Sequence, residues 1–522
     1  MSRQRTHRPR SARPPATLHK PRGYFHDRVE RAGPTHFGLA CFDCHKAYSQ
    51  WMLADFYGTL LLPPQRLPHN RSGLDDAVRQ LRQAVRDHDL KDLLIIIERT
   101  GRYHRLVQRT FTAAFDTRIV HPFATKQFRQ VADPDDKTDD RDLFAMHRAA
   151  LNGFALTEPA RDEFWTEFLR LARFRRGLIH KAARLRCQIR DHLEAYLPGF
   201  ADAFGDFWKN HCAWPIARHF LSPQQIAEAD GDGLARLLRE QGIRFQHRSL
   251  VPILDWARQA PAADVAPANA RRIALALEDD RRQKSREIHG LEGELAALLC
   301  RTSYVLLLSC PGLNIGNIAD ISSELGPISH YAGSKGITGR AGLRPSRYQS
   351  GQVDRTAGPL PRACNRKLRA ALLRGADCLL SCNGHFRARA EAWRQAGDDP
   401  RRIVVKVAHR LCRILYQVVA GQQVFCHPQY KERHYILDKL IAFHEEHGSA
   451  AAVVLRDLTA AAAQLPPAER TAEAAPLHER LKALRSGRAK DPQGLADLLP
   501  KVLAGLGVTK VQSKKSGGPG PR

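Results

Sequence analysis

Phe37-Gly38-Leu39-Ala40-Cys41-Phe42-Asp43 is an apolar run closed by a single acid. Its composition and length read as a buried β-strand that delivers a carboxylate at its end. A second run, Leu93-Leu94-Ile95-Ile96-Ile97-Glu98, repeats the pattern. Between them, 49–54 and 58–62 read as two more strands with turn residues at the joins, and 72–89 reads as a helix, with Leu74, Ala77, Leu81 and Val85 at helical spacing. A helix over 103–114 and a short strand over 117–120 follow. Then comes Lys137-Thr138-Asp139-Asp140-Arg141-Asp142, which opens another helix. Asp139 and Asp142, three apart, share one helix face, whereas Asp140 points elsewhere and reads as solvated.

Three consecutive strands followed by alternating helix and strand give the element order of an RNase H/RuvC-like α/β fold. Either strand-end acid alone is an ordinary structural feature, and first-turn acids are favoured by the helix dipole. Acid, acid and paired acids in that order are more informative. Carboxylates brought together from two strand ends and a helix form the hard, oxygen-rich pocket that Mg2+ or Mn2+ requires.

The chain has 522 residues, with 82 Lys and Arg against 54 Asp and Glu, for a formal charge of +28. That surplus attracts a polyanion, and the fitting substrate for a carboxylate pocket on such a chain is a phosphodiester. No apolar run reaches the roughly 20 residues of a membrane span. The Arg- and Pro-rich N-terminus lacks the apolar core of a secretory signal, and eleven scattered cysteines fit reduced thiols in a cytoplasm. Cys41-Phe42-Asp43-Cys44-His45 has the spelling of a c-type haem attachment site. It begins as a strand without an export signal, and no second CxxC or HxxxH completes a zinc site, so neither reading is retained.

The organisation expected along the chain is a basic disordered arm over 1–34 and a RuvC-like catalytic domain over 35–155. A helical coiled-coil arm with an insert follows over 156–303, then a mainly α C-terminal domain over 304–447 and an Ala/Lys/Pro-rich tail over 448–522. In the arm, Phe164, Phe168, Leu171, Phe174, Leu178, Leu185 and Ile189 keep three-and-four spacing, as do Ile288, Leu291, Leu295 and Leu298. The segment 314–325 reads as the second half of a helix–turn–helix hairpin offering N–H groups to phosphate. A Gly-rich loop spans 333–351. Gly333-Ser334-Lys335-Gly336 within it lacks the spacing of an NTPase phosphate loop.

The ordered motifs resemble those of the insertion-sequence transposases of the IS one-ten group, whose relatives include Piv-type DNA invertases. Asp43-Cys44-His45-Lys46 is similar to the family's Asp-x-x-Lys, and Glu98-Arg99-Thr100-Gly101-Arg102-Tyr103 to its Glu-x-Thr-Gly-x-Tyr. Lys137 to Asp142 is similar to Lys-Thr-Asp-x-x-Asp. Pro311-Gly312, the segment 342–351 and Asn365-Arg366-Lys367-Leu368-Arg369 follow the C-terminal motifs in order. The chain departs from the pattern at Cys41 (usually Gly), at Leu143 (usually Ala) and at Arg362-Ala363-Cys364 (usually Lys-Arg-Gly). None of these removes a catalytic side chain.

The resemblance implies a DNA transposase or site-specific recombinase that cleaves and rejoins strands at element ends and target. It implies two metal ions on Asp43, Glu98, Asp139 and Asp142, and Ser350 as the nucleophile, with Ser346 the second candidate in the same loop. A structured non-coding bridge RNA and a homo-oligomer, dimeric or tetrameric, are implied partners, and a bacterial cytoplasm, close to the nucleoid, is the implied location. Basic residues in and beside the motifs are the candidate nucleic-acid contacts: Lys46, Lys137, Arg340, Arg344, Arg347, Arg366, Lys367 and Arg369. The alternatives are a Piv-type invertase and a metal-dependent RuvC-like nuclease or junction resolvase.

Overall fold

A computed structural model describes residues 22–132, 134–158, 162–264, 266–350, 353–355, 358–426 and 434–507. The chain forms two compact units that divide at residue 160.

The first unit starts with helix α1 (His26–Ala32), then strands β1 (Phe37–Cys44), β2 (Tyr48–Asp55) and β3 (Leu60–Pro68). Helix α2 (Arg71–Asp87), β4 (Asp92–Glu98), α3 (His104–Thr112), β5 (Asp116–Val120), α4 (Pro122–Ala132) and α5 (Asp139–Leu151) follow. The sheet order is β3-β2-β1-β4-β5, with β1 antiparallel to β2 and parallel to β4, and β4 parallel to β5. This is a mixed α/β sheet of the RNase H/RuvC-like type. Side chains alternate across it with period two. In β1, Ala40, Phe42 and Cys44 join a core with Leu74, Leu81, Val107 and Phe111, while Phe37, Leu39 and Cys41 face Leu143, Met146 and Ala150 of α5.

Three local expectations change here. The stretch expected as a disordered arm over 1–34 is folded from residue 22 onward in the described chain. Phe25 and Val29 bury themselves in the α5-side core, and Arg28 pairs with Asp92 and Asp116. Residues 1–21 lie outside the described residues. Helix α4 was not expected. The third strand runs on to Pro68 rather than ending at residue 62.

Among its described residues, the second unit is helical apart from one small hairpin. Long helices α6 (Glu163–Tyr196) and α10 (Pro267–Cys300) flank α7 (Ala213–His219), α8 (Pro223–Glu240, kinked at Asp230) and α9 (Val251–Gln259). The pair is antiparallel. Leu185 and Ile189 share a core with Ala274 near the start of α10, and Phe168 and Ala172 share one with Leu295 and Leu299 near its end. Phe174, counted in the arm's apolar stripe, is instead 55% exposed.

After α10 come a buried 3-10 turn over Ser303–Ser309, α11 (Ile315–Leu325), α12 (Ser334–Ala341) and a hairpin of β6 (Tyr348–Ser350) and β7 (Val353–Arg355). Helices α13 (Arg366–Cys382), α14 (Gly384–Gln395), α15 (Pro400–Ala420) and α16 (Ile436–His447) complete the stretch to residue 447. The segment expected as a tail then forms α17 (Ala451–Gln464), α18 (Pro467–Arg485) and α19 (Leu495–Gly505). Its Val454, Leu458, Leu477, Leu499 and Val502 enter the same core as α11, α13 and α15. Residues 508–522 lie outside the described residues. From Ile318 to Leu325 every residue of α11 is buried, while Asn314 at its N-terminus is exposed.

Candidate active site of the first unit

Period-two alternation decides where the first two acids point. Asp43 continues the odd-numbered face of β1, and Glu98 the face of β4 that carries Leu94 and Ile96, both turned to α5. Helix α5 arrives on that face with its N-terminus. Thr138 caps it, its Oγ1 accepting from Arg141 N at 3.3 Å, so Asp139 and Asp142 occupy the first turn, where the helix dipole favours negative charge.

The electrostatics record the convergence. Asp43 is 7% exposed, and its carboxyl is pushed up to about 6, first by burial and then by the charges of Glu98, Asp142 and Asp139. Burial also raises Asp142, against the pull of Arg129 and Lys137. Thr100 Oγ1 donates to Glu98 Oε2 at 3.3 Å. Like charges this close are costly without a cation between them, and a set of hard carboxylate oxygens is what a divalent ion of the Mg2+ class binds. The donor set fits such an ion.

Two basic partners escaped the sequence reading. His45 Nε2 lies 3.5 Å from Asp43 Oδ2 and 3.4 Å from Asp139 Oδ2. With those two acids it forms a three-residue group whose ligand atoms fall within 4.8 Å of one another. Its position two residues after a strand-end acid was the available signal, masked by the haem-like spelling. In that spelling Cys41 and Cys44 sit on opposite faces of β1, both thiols raised by burial, Cys44 to about 12. Arg129 of α4 sets Nε 2.8 Å from Asp142 Oδ1. Asp140 is exposed and accepts from Gln50 Nε2 at 3.1 Å. Lys46 and Lys137, at the rim, are exposed.

The remaining candidates belong to the second unit. Ser350 is exposed at the end of β6 and pairs with Val353, while Gly351 lies outside the described residues. Ser346 is held by its backbone, N to Pro359 O at 3.0 Å and O from Gly358 N at 2.9 Å. Arg344 and Arg347 are exposed, as are Arg366 and Lys367. Arg340 reaches the Glu324 carbonyl at 3.4 Å.

Arg369 is turned inward and donates to the carbonyls of Ala341, Gly342 and Pro361. Asn365 caps α13 and donates Nδ2 to Glu324 Oε2 at 3.0 Å. The Asn-Arg-x-Leu-Arg motif therefore has a scaffold half and an exposed half. Gly342 has φ +62°, and a Cβ there would stand 2.3 Å from Arg369 Nη2. At Gly312, φ +92°, a Cβ would stand 2.8 Å from the Cys378 carbonyl, which accounts for glycine after Pro311.

A transposase family model of the DEDD IS110 type matches residues 40–198, and the model of the transposase IS116/IS110/IS902 family matches residues 304–391. The chain belongs to the IS110 transposase family. No curated protein matches it. The transposase is thus a DNA-cleaving and recombining enzyme that acts on DNA, and its DEDD domain points to divalent metal use. Among the described residues, no helix is long and apolar enough to cross a membrane.

Proposed function

We propose that this transposase cleaves and rejoins DNA at the ends of an insertion element and at a target, with Ser350 as nucleophile. Asp43, Glu98, Asp139 and Asp142 hold two divalent ions, Mg2+ or Mn2+. When bound, the ions stabilise negative charge on the attacking and leaving oxygens. The observation that carries the reading is the convergence of four acids from β1, β4 and α5 in a chain that matches both transposase models.

In the cleavage step a bond forms between Ser350 Oγ and phosphorus, the bond from phosphorus to one deoxyribose oxygen breaks, and the serine proton ends on that oxygen. Attack by the hydroxyl of another strand reverses the chemistry and frees the serine. The phosphodiester is conserved in the covalent link, so no nucleotide triphosphate is consumed. The exposure of Ser350 at a hairpin end supports access to a strand. A homo-oligomer, dimeric or tetrameric, rests on the family resemblance. The charge of +28 suits a guide RNA as well as DNA. A bridge RNA pairing with donor and target would relieve the protein of reading bases, and it rests on the family resemblance.

The test is incubation of purified protein with supercoiled element-end DNA, Mg2+ and co-expressed RNA. A covalent protein–DNA adduct, lost in Ser350→Ala and in Asp139→Ala, is the expected result. Cleavage that survives Ser350→Ala but not Asp139→Ala overturns serine attack and favours a RuvC-like nuclease.

A further inference from the structure

Helices α14 and α15 carry a charged face that neither the acids nor the serine hairpin uses. Between Gly384 and Ala420 there are eight Lys and Arg against three acids. Those acids are already committed. Glu391 pairs with Arg394 and Asp398 with Lys406, while Asp399 caps α15 by accepting from Arg401 N at 2.8 Å. Among the described residues, Arg389, Arg402, Arg410 and Arg413 make no ion pair.

The helical period puts these cations on one side. Arg402, Lys406, Arg410 and Arg413 follow four-and-three spacing along α15, opposite the buried stripe of Val407, Leu411, Leu415 and Val418. Arg389 of α14 joins them through Trp393. Its guanidinium lies 5.4 Å from the indole centroid, Lys406 Nζ 5.2 Å and the Arg410 guanidinium 5.1 Å. The ring gathers three cations from two helices and orders them. Farther along α15 the charges of Arg413 and Arg344 both act on His409, so the stripe continues to Arg344 in the loop before β6.

Such a face costs energy in the free protein. Burial and the like charges of Arg389 and Arg413 make the Arg410 guanidinium harder to charge. A face that serves solubility alone intersperses both signs. The ligand that relieves this repulsion brings evenly spaced negative charge, because Arg402 to Arg413 span about 16 Å of helix. One strand of duplex DNA presents a phosphate about every 3.4 Å of axis, or about five over that length. Guanidinium groups suit phosphate oxygens, which they can grip with two N–H donors. Helix α15 lies beyond residue 391, where the match to the transposase family ends.

We propose that this face of α14 and α15 is a docking surface for the phosphate backbone of duplex DNA, with Arg389, Arg402, Arg410 and Arg413 as the contacts and Trp393 as the platform that orders them. Duplex DNA is the occupant because the enzyme acts on DNA, and charges in a row follow a strand without reading its bases. The surface needs neither Ser350 nor a metal ion.

The experiment measures binding of the full chain to a fluorescent duplex of arbitrary sequence by anisotropy, in EDTA and across a series of salt concentrations. One variant combines Arg389→Ala, Arg410→Ala and Arg413→Ala. It should bind about tenfold or more weakly, and the slope of log affinity against log salt should fall by about three. A control combining Arg71→Ala, Arg79→Ala and Arg86→Ala removes the same charge from exposed positions of α2 and should keep the parent slope. Lys at the three proposed positions keeps the charge and should restore the slope. If the triple Ala variant fails to fold, Arg413→Ala alone decides, with a slope lower by about one. Equal losses in the two triple variants, or an unchanged slope, overturn the surface. A loss seen with a structured RNA but not with the duplex overturns the assignment to DNA. Ser350→Ala should bind as the parent does, so this surface and serine attack fail separately.

Discussion

His45 Nε2 lies 3.4 Å from Oδ2 of Asp139, linking the loop after β1 to the first turn of α5. The same nitrogen is 3.5 Å from Asp43, and among the described residues it makes no hydrogen bond of good geometry. When protonated, it opposes the burial and the Glu98 repulsion that raise the Asp43 carboxyl. In His45→Ala the Asp43 carboxyl should therefore titrate above about 6. The acid limb of Mn2+ binding, followed by calorimetry across pH, should move to higher pH. An unmoved limb would show that His45 does not act on the acids.

Asp43 also links metal binding to stability. Its folded value is raised from 3.8 to about 6, so its stabilising contribution is complete below 3.8 and is lost as pH rises through about 6. The shift amounts to about 3 kcal/mol. Divalent ions bind the ionised form and oppose that loss. Mg2+ should raise the melting temperature strongly at a pH well above the Asp43 value and little well below it. Asp43→Asn should flatten the difference, and a Mg2+ effect independent of pH would count against the assignment.

Asp139, Asp140 and Asp142 provide an internal control. Asp139→Asn or Asp142→Asn should reduce strand cleavage by about a hundredfold or more, because on the proposed reading each removes a ligand of the ions that stabilise the transition state's negative charge. Asp140 is exposed and engaged with Gln50. Asp140→Asn should change stability by less than about 0.5 kcal/mol and leave cleavage near its parent rate. Equal losses in all three variants would mean that the run matters as a charged patch and not as a site.

The acids were legible in the sequence because period-two alternation fixes a face: once β1 and β4 are strands, Asp43 and Glu98 must point where Leu39 and Leu94 point. Arg129 was not legible, because α4 exposes Phe123 and Val131 and so lacks a clean apolar stripe. The sole local sign of α4 was Pro122 at its first position. The helices after residue 450 were obscured by alanine, which packs as well as it solvates and so blurs the period. At the other end, Phe25 and Val29 anchor a segment whose arginines suggested a free arm.

The two halves of the Asn365–Arg369 motif should separate experimentally. Arg369→Ala strips the donors from three backbone carbonyls and should cost about 2–4 kcal/mol, read as a lower denaturant midpoint. Arg366→Ala and Lys367→Ala remove exposed charge. They should leave the midpoint unchanged, weaken DNA binding, and lower the salt slope by about one each. A destabilised Arg366→Ala, or an Arg369→Ala of full stability, would contradict this division.

Removal of everything after residue 448 tests whether α17 to α19 belong to the fold. Val454, Leu458, Leu477, Leu499 and Val502 are at most 2% exposed in the core shared with α11, α13 and α15. Glu473 is fully buried and accepts from the N–H groups of Ile436 and Leu437 at 3.1 Å each, satisfying the first turn of α16. Each lost apolar side chain forfeits about 1.5–3 kcal/mol, so five together rival the roughly 5–15 kcal/mol by which a domain is stable. The truncated chain should lose its cooperative melting transition and bind a hydrophobic dye. A truncated protein that melts cooperatively at the parent temperature would show these helices to be an appendage.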